Sequence, residues 1–501
     1  MLNQLKIFKL LIILFAISVI AIWSSQLITQ WDVDYGVFYF GSYLLDDNFQ
    51  LYNDFFTHKG PLYYLFLKSI GYLIGWGKWQ AYFLLILTML VFYVPIFFIL
   101  LFERTSLQKF ILGILLSLCL LYGQNTNSCV SFFQSGFLLM AFWLLLKKDN
   151  KYVLNFSFFL LVCAILARID AIIYSPVYLF VLIYSNYLNN IWDYFKILFI
   201  WSLIIILTFL TLMFIFDFNI SQYYIHNIKF NYWYKDGIIA DKSLIYKLSK
   251  YIVRPSSYEI FTGSLLIFPF FMIFSQITPS FREFNLFIKN TFSNLQINNS
   301  LASKLLVSII LILGLFGWFL TMSDKNYHFI IVLFPVLMII LLNLNFFNFK
   351  QSILLISISL YCIITIIYSP IYKLYKNSEC LHSVYCDLSN ISEYSDTLKI
   401  MNNITDDEIS IIGNTPWLYF FSNKKPKGSL NNYWFYFIEK PFETKVHLEE
   451  HKDLLKMPTG KIFFIDNQYL DIKIKNKFLK EILANSFLLK RQNKFSIYQV
   501  E

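Results

Sequence analysis

The sequence predicts an all-α polytopic membrane domain over residues 1–370, followed by a small α/β domain over residues 371–501. Three observations carry this. The chain of 501 residues is 57% hydrophobic and only 14% charged, with a mean hydropathy of +0.57. A soluble protein carries about a quarter charged residues, so the apolar surplus faces lipid. Apolar runs of spanning or near-spanning length recur along the first three quarters of the chain. From Tyr372 onward the composition turns polar and the apolar runs become short.

In order, the runs begin near Leu10, Trp79, Gln108, Val130, Val153, Ala171, Phe195, Ile260, Lys304, Phe329 and Ser352. They imply about eleven to thirteen membrane helices. Gln108–Tyr122 and Val153–Ala167 are short for a span. Leu62–Trp76 carries Lys68 and two glycines and reads either as a span or as a helix along the interface. As an interfacial helix it places Lys6, Lys9, Arg104, Lys109, Lys147, Lys148, Lys151, Lys196, Arg282, Lys289 and Lys350 on one side. The positive-inside rule makes that side cytoplasmic, with the N-terminus. The Asp-rich loop 31–60, the segment Asp217–Tyr258, the Ser323–His328 loop and the C-terminal domain then lie outside. The apolar run continues past Val19-x-Ala21 to Ile28, which favours a retained first span over a cleaved signal peptide.

In the tail, Ile409–Ile412, Trp417–Phe421, Ile462–Ile465 and Phe495–Val500 are compact apolar runs, separated by helix-like stretches at Ile391–Met401 and Asp471–Leu483. The net charge of +10 comes from short loops between spans, not from a basic stripe with interleaved aromatics, and does not point to nucleic acid. Cys119, Cys163 and Cys362 fall in apolar runs and Cys129 at a boundary; Cys380 and Cys386 share the external tail, where an oxidising compartment permits a disulfide. No zinc spacing, phosphate loop, dinucleotide fingerprint or nucleophile elbow is present.

The polar residues gather on the outer face. Trp31–Tyr64 concentrates Asp32, Asp34, Asp46, Asp47 and Asp54 and closes on His58-Lys59-Gly60-Pro61. Asp32 and Asp34 share a face if the piece is extended; if it is helical, Asp34, Phe38 and Gly41 share one. They read either as a base near an apolar surface or as solvated loop acids. Lys59 reads as a phosphate-binding cation or a snorkelling interfacial lysine. Arg168 and Asp170 form a structural pair or orient an anion. Tyr327-His328, leading to Pro335, offers a phosphate ligand or a structural histidine.

Taken together, Asp34-x-Gly36-x-Phe38, Gly41, Leu44-Leu45, Leu51-Tyr52-x-Asp54 and Lys59-Gly60-Pro61-Leu62-x-Tyr64 resemble the first external loop of GT-C glycosyltransferases. The similarity is closest to bacterial relatives of protein O-mannosyltransferases and of the lipid A aminoarabinose transferase. Gly123-x-Asn125, Tyr327-His328-Phe329 and Ile412-Gly413-Asn414-x-Pro416-x-Leu418-Tyr419 follow in the expected order. Tyr35 stands where an acidic residue often follows the loop aspartate, and Ser128 and Cys129 stand where carboxylates are often found. The resemblance implies an integral protein of the bacterial inner membrane that transfers a sugar from a polyprenyl-phosphate donor. The acceptor is a lipid, a glycan or a protein on the extracytoplasmic face. It makes Asp34 the base, with Asp32 and Asp54 as alternatives, and Lys59 the ligand of the donor phosphate, joined by Arg168, Tyr327 or His328. No cofactor is required by this chemistry, although Asp32-x-Asp34 has the oxygen donors for a divalent cation. Two other readings are a polyprenyl-diphosphate glycan polymerase or ligase and a glycolipid transporter. A transporter would carry charges deep within several spans, and these spans are nearly charge-free.

Overall fold

The computed structural model describes residues 9–18, 33–47, 49–52, 57, 59–102, 110–111, 113–114, 129–147, 150–184, 191–218, 220–229, 309–310, 313–314, 392–404, 409–412, 418–419, 422, 424, 460–467, 470, 483–492 and 495–501. The chain divides into two compact units. One comprises Met1–Ser25, Leu85–Phe209 and Lys242–Lys376; the other comprises Gln26–Leu84, Leu210–Asp241 and Asn377–Glu501.

The helices in order are α1 (Lys9–Ser18), α2 (Val33–Asp46), α3 (Pro61–Ile74), α4 (Lys78–Phe102), α5 (Cys129–Lys147), α6 (Lys151–Ala167), α7 (Ser175–Tyr184), α8 (Ile191–Phe216) and α9 (Ser392–Asn403). Among the described residues, three stretches are long and apolar enough to cross a membrane: Trp79–Leu101, Cys129–Leu146 and Ile191–Phe216. The sequence leads one to expect about eleven to thirteen spans. The runs beginning at Ile260, Phe329 and Ser352 lie outside the described residues, as do most of those beginning at Gln108 and Lys304. On α8, Phe199, Ile206, Leu207 and Phe214 are exposed, Phe214 to 89%. An apolar surface of this extent is stable in hydrocarbon and not in water.

In the first unit, α5 and α6 form a helical hairpin. Asn150 caps α6 by accepting from the N–H groups of Tyr152 and Val153 at 3.0 Å each, which satisfies two donors that a helix start leaves unpaired. Ser157 Oγ donates to the Ala141 carbonyl at 2.7 Å, the type of interhelical bond that replaces the hydrophobic effect where the solvent is lipid. Phe158 stacks on Trp201 at 4.3 Å, and Trp201 Nε1 donates to Asn155 Oδ1 at 3.0 Å, which ties α8 to the pair. The run expected from Ala171 starts differently. Arg168 takes an extended conformation at the end of α6, Ile169–Tyr174 forms a 3-10 turn, and α7 begins only at Ser175-Pro176. Proline fits the first helical turn, because its missing N–H has no partner to lose there.

In the second unit, α3 spans 14 residues, roughly 21 Å of rise, against a hydrocarbon core of about 30 Å. Pro61 occupies its first turn, and Gly75 leaves it at φ +83°, a conformation open to glycine. The Asp-rich segment, read from sequence as a loop, contains the 14-residue helix α2. Its helix is stabilised by burial, since Tyr35, Tyr39 and Leu44 are each 1% exposed or less.

The tail folds into a four-stranded sheet of β1 (Ile409–Ile412), β2 (Ile462–Asp466), β3 (Ser486–Arg491) and β4 (Phe495–Val500), in the order β1-β2-β4-β3. β1 runs parallel to β2 with Ile409 opposite Ile462, and the other pairs are antiparallel. The expected helix at Ile391–Met401 is α9. Most of the stretch Asp471–Leu483 lies outside the described residues, as do Cys380 and Cys386. β3, passed over in the sequence, exposes Phe487, Leu488 and Leu489, and its pairing with β4 is interrupted by a bulge between Leu488 and Lys490.

Among the described glycines of the first unit, Gly136 marks a close approach of α5 to α4. A Cβ added at Gly136 would sit 2.3 Å from the Val91 carbonyl oxygen, a backbone atom that cannot rotate away. Gly136→Val should therefore force the helices apart at a cost of about 1–3 kcal/mol. Thermal denaturation of the detergent-purified variant should show a clearly lower Tm; a wild-type Tm would refute this packing.

Candidate functional site

Asp34 is the second residue of α2, one turn before Phe38. The helix that carries it is held by its own aromatics. The Tyr35 hydroxyl donates to the Ala81 carbonyl at 2.5 Å. The Tyr39 hydroxyl donates to the Gly77 carbonyl at 2.8 Å and accepts the Gly77 N–H at 2.9 Å. Phe38 meets the edges of Tyr63 and Tyr64 on α3, with ring centroids at 5.5 and 5.9 Å. Near the other end of α2, Asp46 accepts from Trp76 Nε1 at 2.8 Å.

Lys59 stands two residues before α3, and the backbone around it is pinned on both sides. Its N–H donates to Thr57 Oγ1 at 3.2 Å, and its carbonyl accepts from the Tyr52 hydroxyl at 2.8 Å. Tyr64, one turn into α3, donates to the same Thr57 oxygen at 2.9 Å. Tyr52 holds φ at +69°, a conformation a bulky residue adopts only when its surroundings impose it. Those surroundings are Phe218 at 5.1 Å, Tyr223 at 6.0 Å and His226 at 5.4 Å between ring centroids. His226 and Asn227 are buried in a π-helical turn, Tyr224–Lys229, a backbone form often found at functional sites. Burial pushes the Tyr52 phenol well above its ordinary value, with Tyr223 adding to the effect and a hydrogen bond from Asn227 opposing it. The Tyr223 phenol is pushed up to about 12 by burial. Tyr52 therefore remains a neutral donor to Lys59 at any physiological pH.

Arg168 is 9% exposed and lies at the break between α6 and the 3-10 turn. Its guanidinium pairs with Asp170 at 2.9 Å and donates to Ser131 Oγ at 2.8 Å. Gln134 Nε2 closes the cluster, with the Arg168 carbonyl and Asp170 Oδ1 both at 2.8 Å. A cation and an anion in an apolar bundle are thus matched locally, as the cost of burying charge demands.

Asp32, Asp54, Tyr327 and His328 lie outside the described residues. Sequence reasoning quotes Tyr52 and Tyr64 as members of the loop motif without giving them a role, and does not single out Thr57 or His226. Among the described residues, no group of three His, Cys, Asp or Glu side chains gathers to hold a metal ion.

No family model matches the sequence, and no curated protein does either. Among solved structures, the chain matches ArnT from Cupriavidus metallidurans, crystallised bound to undecaprenyl phosphate, with a TM-score of 0.55. The match covers 97% of both chains at 12% identity. The chain shares the overall fold of that protein. The match therefore extends over nearly the whole of both chains and is not confined to the first external segment.

Breaking a buried ion pair by removing one partner costs about 3–5 kcal/mol, because the other charge is left stranded. Arg168→Met should therefore lower the Tm of the purified protein sharply, and the double variant R168M/D170N should recover most of the loss. Additive losses in the double variant would show that the two residues do not act as a pair.

Proposed function

We propose that this protein is an integral membrane glycosyltransferase of the bacterial inner membrane, taking its sugar from a polyprenyl-phosphate donor. The observation that carries the reading is the end-to-end likeness to ArnT bound to undecaprenyl phosphate, in a chain whose first external segment places Asp34 in a helix and Lys59 at the mouth of the next. The donor's tail lies in the bilayer and its sugar at the outer face. Asp34 takes the proton from an acceptor hydroxyl or amine. The acceptor atom bonds to the anomeric carbon from the side opposite the phosphate, the carbon–oxygen bond to phosphate breaks, and the lipid phosphate leaves with the bonding electrons. The transition state is oxocarbenium-like, and the product is inverted at the sugar.

Lys59 stabilises the charge that develops on the departing phosphate. A cation does this best when it is already in place before the reaction, because no reorganisation is then needed. The Tyr52–Lys59 and Thr57–Lys59 hydrogen bonds support that role by fixing the backbone beneath the side chain. Arg168, which already pairs with Asp170, or His328 is the further phosphate ligand that the sequence reading offers. Since lysine supplies the charge, the reaction needs no divalent metal. The sugar and the acceptor class, whether lipid, glycan or protein, are set by contacts outside this motif.

The test is transfer from a panel of labelled polyprenyl-phosphate sugars to cell-envelope extract, using protein purified in detergent. Asp34→Asn should lower turnover by about 10²–10⁴-fold, the range a positioned base supplies. Lys59→Met should lower it by about 10²–10³-fold, as loss of one preorganised charge does elsewhere. EDTA should leave the wild-type rate unchanged. Wild-type turnover in Asp34→Asn would move the base to Asp32 or Asp54. Absence of transfer from every monophosphate donor, with folded protein, would overturn the donor class.

A further inference from the structure

Besides its bonds to the 76–81 segment and its packing on α3, α2 has a third anchor, and this one comes from the tail. The Phe40 ring stacks on Tyr419, with centroids at 5.7 Å and planes inclined by 10°. Both rings are fully buried. Tyr419 faces the sheet with its other end. Its hydroxyl accepts the Ile411 N–H at 2.6 Å and donates to the Ile409 carbonyl at 3.4 Å. Ile409 and Ile411 belong to β1, an outer strand of the sheet, and a buried strand N–H needs a partner wherever it finds no strand. Tyr419 therefore bridges two structures: its oxygen meets an edge strand and its ring meets α2.

The turn that presents Tyr419 is itself braced. The Ser422 N–H donates to the Leu418 carbonyl at 3.0 Å, and the Lys424 N–H donates to the Tyr419 carbonyl at 2.9 Å. Lys424 Nζ donates to the Ile404 carbonyl just beyond α9 at 2.6 Å. Phe40 is six residues from Asp34 along the same helix, roughly 9 Å of rise. A shift or tilt of α2 at Phe40 is transmitted to Asp34, because a helix of this length moves as a rod.

We propose that Tyr419 is a positioning residue for Asp34, through which the C-terminal sheet sets the place of the helix that bears the base. The proposal rests on the transferase reading above. Lys59 takes no part in the Tyr419–Phe40 contact and is held by its own bonds to Tyr52 and Thr57, so the larger effect falls on the chemical step.

Tyr419→Leu and Phe40→Leu keep an apolar side chain at each position and so preserve the fold. Each should lower kcat by about 10–100-fold, the penalty of a slightly misplaced reacting group, with the donor KM within about twofold of wild type. The double variant should lose no more than either single one, since both remove the same contact. Tyr419→Phe, which keeps the ring on Phe40 but loses the bonds to β1, should retain more of kcat than Y419L and less than wild type. A wild-type kcat in Y419L, losses that multiply in the double variant, or a raised KM with kcat unchanged would overturn the proposal. Hydrogen exchange decides it independently of any donor. In Y419L the amides of residues 33–46 should exchange about tenfold faster while those of α5 and α6 keep their wild-type rates. Unchanged exchange over residues 33–46 would overturn the proposal even if the transferase reading stands. A wild type that transfers nothing, with exchange altered as expected, would retire the transferase reading and leave the Tyr419–α2 coupling in place.

Discussion

A buried phenol must find a hydrogen-bond partner, and the second unit is organised round two that do so at one place. Tyr39 donates to and accepts from Gly77, and Tyr35 donates to Ala81 one turn into α4. An unpaired hydroxyl at these positions costs a few kcal/mol, so α2 has a preferred place against the start of α4. Burial raises the Tyr39 phenol above its ordinary range, so the contact does not titrate under physiological conditions. Trp76 contributes from the same segment, as an edge contact to Tyr39 and as the donor to Asp46. This clasp holds α2 against the start of α4, and the Phe40–Tyr419 stack holds it from the tail.

The two polar clusters solve different problems. Arg168, Asp170, Ser131 and Gln134 satisfy one another where a helix stops within an apolar bundle, and the gain is a defined break between α6 and α7. Around Lys59 the hydrogen bonds are to backbone, and Tyr52 holds a strained φ to make one of them. Strain of this kind persists only where packing over-determines it, here by Phe218, Tyr223 and His226.

What was legible in the sequence follows from what each element buries. Ile409–Ile412, Ile462–Ile465 and Phe495–Val500 read as compact apolar runs because their side chains form the core of the small sheet. Ser486–Arg491 did not, because its apolar residues face outward and no alternation marks them. The start of α6 lies ahead of its apolar run because Asn150, in a basic stretch, provides the cap. α2 was hidden by its aspartates, which drew the eye to charge and away from the burial of Tyr35, Tyr39 and Leu44. Lys59-Gly60-Pro61 announced itself through the proline that starts α3. Tyr52 and Tyr419 stood there only as motif members, and their roles did not show, because the Phe218, Tyr223 and His226 rings around Tyr52 and the Phe40 ring on Tyr419 come from distant parts of the chain.

Among the described residues β3 is the outer strand of the sheet, with β4 on one side. Three apolar side chains in a row make that edge attractive to a second copy crowded into the same membrane. The strand also carries the deterrent. Lys490 and Arg491 would approach their own counterparts in a side-by-side pairing of two copies, and the bulge beside Leu489 spoils the regular spacing such a ladder needs. The outer strand thus combines an apolar margin with charges and a bulge that disfavour a regular ladder with a second copy.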